Sequence, residues 1–314
     1  MNRLPPEKRA EILGMMVEGV SLRAITRMTG VSRTTSLKFL ADAGHACLSY
    51  QDKTLRNLPC KRVQVDECWG FCYAKQKNVE SAKAAPEGAG DIWTWVGLDA
   101  DSKLVVSWYV GNRDSSAATA FVNDLAPRLA SRVQLTSDGH RPYLEAVEGA
   151  FGRAIDYAML VKVYGPPLEA KHRYSPPTCI GAQRHRIEGN PDPKHISTSF
   201  VERQNLNIRM GNRRMTRLTN AFSKKAQNHA HMMAIYFMHY NFVRIHQTLK
   251  VTPAMAAQVT GELWEVSDIV RMIDEHESAL ELETPSDRQW LPDEAHPRSS
   301  RNLKQNLGSS DVHR

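Results

Sequence analysis

Three carboxylates stand where chemistry could use them. Asp66 lies in the middle of "RVQVDECWGFCY", a run whose apolar neighbours make an unpaired carboxylate costly. Asp138 closes "RVQLTSDG", where Gly139 lets the backbone turn away sharply. Glu202 is the lone acid of "FVERQNLNIRMGNRR", set among Arg203, Arg209, Arg213 and Arg214. Asp66 and Asp138 are 72 positions apart, Asp138 and Glu202 64. Two carboxylates from strand ends and one from a packed helix can converge. Three close carboxylates repel one another unless a cation neutralises them, so the cluster implies a divalent metal. Two ions about 3.5–4 Å apart would stabilise both the attacking and the leaving oxygen of an in-line phosphoryl transfer. Each acid alone also has a plainer reading. Asp66 could pair with a basic loop residue, Asp138 could form a turn, and Glu202 could oppose a helix dipole.

The elements that would position these acids follow from periodicity. "RVQVDECWGFCY" alternates as a strand, with Val63, Val65, Glu67, Trp69 and Phe71 on one side and Gln64, Asp66, Cys68 and Cys72 on the other. "IWTWVGLDA" and "KLVVSWYVG" form a hairpin around Asp101 and Ser102. A helix capped by Asp114 or Ser115, a short buried strand ending at Asp138, a helix at "RPYLEAVEGAFG" and a strand at "YAMLVKVYG" come next. This order predicts a mixed sheet covered by helices, an α/β fold. Residues 164–197 read as one long irregular loop, rich in Pro, Gly, His and Arg. Helices resume at "SFVERQNLNIRM", from about Phe222 to His246, at "TPAMAAQV", and at "ELWEVSDIVRMIDEHESAL", whose apolar face suits docking.

The amino-terminal residues 1–44 read as a separate all-α module. Ser21 can cap a short helix, Gly30 permits a tight turn, and Ser32 can cap a second helix that buries Leu37 and Leu40. Its exposed side carries Arg33, Thr34, Thr35, Ser36 and Lys38. That is the form of a helix-turn-helix, with Arg33, Thr34, Thr35 and Lys38 as the candidate DNA contacts. An ordinary helical hairpin is the alternative. Residues 45–62 read as a linker, 63–261 as the α/β domain, 262–282 as a docked helix, and 283–314 as a disordered acidic and polar tail.

Composition narrows the class. Across 314 residues the chain is 41% hydrophobic and 24% charged, the balance of a folded globular protein. No apolar run is long enough to span a bilayer, the amino terminus lacks a signal-peptide core, and five cysteines in a chain this long favour a reducing compartment. A cytoplasmic protein is expected. The net charge of +7 is unevenly spread. Residues 161–225 carry 13 Lys and Arg against 4 Asp and Glu, and residues 262–314 carry 6 against 12. A concentrated basic face suits nucleic acid, because neutralised phosphates release counterions.

"VDECWGF", "LTSDGHRPYLEA" and "SFVERQNLNIRMGNRRMTRLTNAFSKKAQ" together resemble the core of bacterial insertion-sequence transposases of the insertion-element-one type. These belong to the DDE class with a ribonuclease-H-like fold. The likeness spans roughly residues 60–250, and "ERQNLNIR" is its most specific part. It implies that Asp66, Asp138 and Glu202 bind two Mg²⁺ ions, with Mn²⁺ as a substitute. It implies a basic residue seven positions after the Glu, which Arg209 supplies two helical turns on, and contacts to the cut DNA strand from Arg203, Asn205, Arg209, Arg213 and Arg214. It further implies double-stranded DNA partners, both element ends and target, and a homodimer or larger assembly on DNA. The amino-terminal zinc module of some relatives is missing: Cys47 and Cys60 stand isolated, and Cys68 and Cys72 form a single pair within a strand. His246, in "HYNFVRIHQTLK", suits a structural or phosphate-contacting role, and Trp69, Trp93, Trp95 and Trp108 suit the sheet core. A non-catalytic DNA-binding regulator and a stand-alone metal-dependent nuclease are the alternative functions.

Overall fold

The computed structural model describes residues 3–165 and 179–282. The expected tail, 283–314, lies outside the described residues. Helix α1 (Pro6–Val17) opens with proline and buries Ile12, Leu13, Met16 and Val17 on one face. The Ser21 hydroxyl accepts from the Ala24 amide to cap α2 (Leu22–Thr29), which Gly30 ends at φ 73°, in the left-handed region. Ser32 accepts from the Thr35 amide to cap α3 (Arg33–Thr54). The three helices and their caps follow the expected order, with Arg33, Thr34, Thr35 and Lys38 exposed. Ser36 departs from expectation, because it is buried and its hydroxyl donates to the Ser32 carbonyl, and Phe39 is buried with Leu40 while Leu37 is half-buried. The segment expected as a linker from residue 45 is helical through Thr54, because Ala43, Ala46 and Cys47 continue a buried stripe past the exposed first turn of α3.

Six strands follow: β1 (Arg62–Cys72), β2 (Gly90–Asp99), β3 (Val105–Gly111), β4 (Gln134–Asp138), β5 (Asp156–Tyr164) and β6 (Cys179–Glu188). They lie in the order β3-β2-β1-β4-β5-β6. Strands β1, β2 and β3 pair antiparallel, while β1–β4 and β4–β5 are parallel. This is a ribonuclease-H-like sheet with one strand added. The added strand, β6, corrects the reading of 164–197 as wholly irregular: it pairs antiparallel with β5 at the sheet edge. Its side chains are exposed on both faces, so no apolar alternation marks it in the sequence. Residues 166–178 of that span lie outside the described residues.

Helices α4 (Ser115–Leu125), capped by Asp114, and α5 (Pro142–Phe151) pack together beside the sheet. Helix α6 (Ser199–Gly211) lies against β1. Helix α7 (Ala226–Phe242) is buried nearly all round, as a helix through the middle of a protein must be. Its Asn241 side chain satisfies both the amide and the carbonyl of Val105, at 3.0 and 2.9 Å, and so joins α7 to β3. After the single turn α8 (Pro253–Ala256), α9 (Val266–Leu282) docks on α1 and α3. There Asp274 receives a two-pronged pair from buried Arg9, at 2.5 and 2.9 Å.

The crossing of α3 and α7 is tight enough to need glycine. A Cβ built on Gly44 would come within 2.7 Å of the His231 backbone Cα. Gly44→Ala should therefore cost about 1–3 kcal/mol through overpacking, read as a lower urea midpoint. An unchanged midpoint would mean that the crossing is loose.

Burial holds three α7 histidines neutral. It pulls His229 down to about 3, and His231 and His239 to about 4, with Arg214 acting on His229, His45 and Arg214 on His231, and Arg244 on His239. A histidine with a depressed folded value binds its proton more readily when unfolded. Its contribution to stability is complete above the unfolded value of 6.5 and is lost as pH falls towards 4. Denaturation midpoints should fall between pH 6.5 and pH 4, less steeply in His239→Gln than in the parent. Identical slopes would move the acid sensitivity elsewhere.

Candidate active site

Strand register places the first two carboxylates. The parallel β1–β4 ladder runs from Arg62 beside Gln134 to Val65 beside Ser137. The next step along both strands is Asp66 beside Asp138, so these side chains emerge from the same face of adjacent strands. Asp138 is the last residue of β4, and its carboxylate accepts from the His140 amide at 2.9 Å as the chain turns away through Gly139. Asp66 accepts from the Glu67 amide at 2.8 Å and from Asn205 Nδ2 at 2.8 Å. Burial, then the charges of Asp138 and Glu67, push the Asp66 carboxyl up to about 7; Glu202 adds to the rise and the Glu67 amide opposes it.

Glu67 joins this pair, which the alternation of β1 did not suggest. Ligand oxygens of Asp66, Glu67 and Asp138 all lie within 4.8 Å of one another. Because β4 ends at Asp138, no β4 residue continues beside Glu67 to separate it from the pair. The Glu67 side chain is 1% exposed, and its Oε2 accepts from Arg113 Nε at 3.0 Å. Its Oε1 and the Tyr143 hydroxyl are both enclosed without an aligned partner, although the hydroxyl is close enough to offset part of the rise that burial causes in the Glu67 carboxyl. Arg113 also approaches Asp138 at 3.8 Å and lies over the Trp93 ring at 4.9 Å. An all-oxygen set with one enclosed, unpartnered carboxylate oxygen fits a hard divalent cation such as Mg²⁺ or Mn²⁺.

Glu202 is brought near by α6. The Gln64 side chain, buried in β1 two residues before Asp66, accepts from the Phe200 and Val201 amides at 2.9 and 3.1 Å. These belong to the first turn of α6, where amides have no partner within the helix. The helix start is thereby fixed to the strand that carries Asp66, and the Glu202 charge is felt at Asp66. Glu202 itself stands outside the tight cluster, accepting from Lys162 Nζ at 2.5 Å and from Thr198 Oγ1 at 2.5 Å. Burial lowers the Lys162 ammonium, but Glu202 outweighs it and the net shift is upward.

The expected nucleic-acid contacts divide. Arg203 is exposed, and Arg209 is half-buried, its guanidinium pulled down by burial. Arg213 and Arg214 sit half-buried on the turn after α6. Asn205 differs from expectation: it is buried and donates to Asp66, because position 205 on α6 faces β1. The charges acting on His246 are Lys103 and Arg244, not the carboxylates. Trp95 is fully buried, while Trp69, Trp93 and Trp108 are half-buried. Cys47, Cys60, Cys68 and Cys72 are buried thiols. Sequence reasoning missed the functional company of Glu67, Arg113 and Lys162. Lys162 did leave a signal, as a lone charge in the apolar strand "YAMLVKVY".

Arg113 thus neutralises the cluster from within. Arg113→Gln should lower the stability of the metal-free protein by about 1–3 kcal/mol, since it leaves Glu67 buried and short of a partner. The same variant should gain more melting temperature from Mg²⁺ than the parent does, and Asp138→Ala less. Equal Mg²⁺ shifts in all three proteins would remove the cluster as the metal site.

No protein family and no curated protein matches the sequence. Among solved structures, a piggyBac transposase synaptic complex with hairpin DNA is similar at a TM-score of 0.33 and 11% identity, over 97% of this chain and 79% of that one. A likeness that low carries no argument about what this chain does.

Proposed function

We propose that the chain is a DDE transposase of the insertion-element-one type, which cleaves the ends of a DNA element and joins them to target DNA. The observation that carries this reading is the β1–β4 register, which sets Asp66 beside Asp138 within a ribonuclease-H-like sheet while α6 holds Glu202 close. In this reading the helices up to the start of α3 read the element ends, the packed second half of α3 joins them to the body, 63–261 cut and join, and 262–282 brace the two. Asp66, Asp138 and Glu202 are the metal ligands, with Glu67 beside them. A divalent ion pair, when bound, supplies positive charge to the attacking and leaving oxygens of the phosphoryl group.

The chain's own residues do the rest. Gln64 and Asn205 hold α6 and Asp66 in mutual register. Arg33, Thr34, Thr35 and Lys38 present the reading face, and Arg203 and Arg209 bind phosphates of the strand being cut. Water attacks the phosphodiester at each end; a bond forms to the water oxygen and the bond to the 3′ oxygen breaks, leaving a 3′ hydroxyl. That hydroxyl then attacks a target phosphodiester by transesterification: a bond forms from its oxygen to the target phosphorus, the bond from that phosphorus to the target's own 3′ oxygen breaks, and the proton given up is balanced by the one the new 3′ hydroxyl takes up. Joining two ends in concert calls for a dimer or larger assembly on DNA. The setting is the bacterial cytoplasm, at the nucleoid; among the described residues no helix is long and apolar enough to cross a membrane.

The test uses the purified chain, Mg²⁺ and a plasmid carrying the DNA that flanks its gene, with Glu202→Gln as control and products mapped at nucleotide resolution. Cuts at fixed ends and joined products, both lost in the control, are expected. Sequence-independent cutting without joining would make the chain a nuclease. Specific binding without cutting would make it a non-catalytic regulator.

A further inference from the structure

A groove of about 820 Å³ lies between the helix-turn-helix and the chain that follows α6. One wall comes from α1, α2 and the start of α3 and carries Arg23 and Arg33. The other, within residues 212–232, carries Arg213, Arg214 and Lys224. The lining holds these five cations and no carboxylate. Among the described residues none of the five joins an ion pair. Elsewhere on the body Arg9 is matched by Asp274, Arg113 by Glu67, and Arg128 by Asp52 and Asp124, while half-buried Arg209, on the helix leading to the groove, joins no ion pair among the described residues.

Arg214 is the telling case. Its Nη1 donates to Ser223 Oγ at 3.1 Å, a neutral acceptor that leaves the charge uncompensated. Burial pulls the guanidinium down to about 10, opposed only by the Cys72 thiol. A partly desolvated cation without a counter-charge destabilises a fold. An anion arriving in the groove would reverse that cost, and Leu37, Leu40 and Met232 in the lining keep the local dielectric low enough to strengthen the pairing.

We propose that this groove binds the sugar–phosphate backbone of duplex DNA between the sequence read by α3 and the strand cut at the carboxylates, with Arg214 as its anchoring guanidinium. The position argues for a polymer over a small anion. Arg33 is the first residue of α3, and Arg213 and Arg214 directly follow the helix that carries Glu202. Cations on both walls suit a run of phosphates. The inference rests on the transposase reading for its choice of DNA as ligand.

The test measures fluorescence anisotropy of a 30-base-pair mixed-sequence duplex, at roughly 50–200 mM salt, together with the melting temperature of the free protein. Arg214→Met should leave the free protein as stable as the parent or more so. It should weaken DNA binding severalfold and reduce the salt slope by about 1, whatever the DNA sequence. Arg214→Lys should restore part of the affinity. The pair Arg213→Gln with Lys224→Gln should reduce the slope by about 2. Parental affinity and slope in the Arg214→Met protein and in the pair would overturn the groove. A parent that binds no duplex would overturn both the groove and the transposase reading. A parent that binds, cuts and joins while the variants keep its slope would overturn the groove alone.

Discussion

The pairing of β1 with β4 is the constraint on which the rest of this structure depends. Parallel strands in this register must carry Asp66 and Asp138 side by side, and adjacent carboxylates at low dielectric repel. The fold does not relieve that repulsion by distance. Arg113 reaches in from the loop before α4 to lie between Glu67 and Asp138, Asn205 donates to Asp66, and Lys162 holds Glu202. Four acids and two tethered cations leave a net negative centre, which is what favours a multivalent cation over water.

Positioning depends on polar groups buried in otherwise apolar layers. Gln64 is the clearest: a glutamine facing inward from a central strand has no use in a hydrophobic core, but its carbonyl satisfies two orphan amides of α6. One side chain thereby fixes both the depth and the rotation of the helix that carries Glu202. Asn241 does the same between α7 and β3, and Arg128 caps the carboxy-terminal end of α3 by donating to the Gln51 and Leu55 carbonyls. Such bonds are worth little net when made and much when broken, so they specify geometry more than they add stability.

Much of this was legible in the sequence, and the reasons are specific. Ser21, Gly30 and Ser32 announce the ends of α2 and α3 because capping chemistry is local. Asp66 and Asp138 stood out because an acid in a strand must have a reason to be there. Glu67 did not, since period-two alternation assigns it to the opposite face and only the end of β4 brings it round. Arg113 and Lys162 meet their carboxylates across 46 and 40 positions, a relation no local pattern encodes. Strand β6 escaped notice because it is exposed on both faces and its few apolar residues do not alternate, and the helical run of residues 45–54 because its buried stripe of small residues imitates a linker.

The unbroken course of α3 has a metrical meaning. A helix of 22 residues is a rod about 33 Å long at 1.5 Å per residue. Its first turn is exposed, and its later turns are clamped between α7 and α9. On the proposed function, the separation between the sequence read and the strand cut would then be a ruler, set by the protein and not by a flexible tether. Each base pair added between the two on the DNA turns the cut position by about 35° around the duplex, out of phase with a ruler that cannot twist to follow.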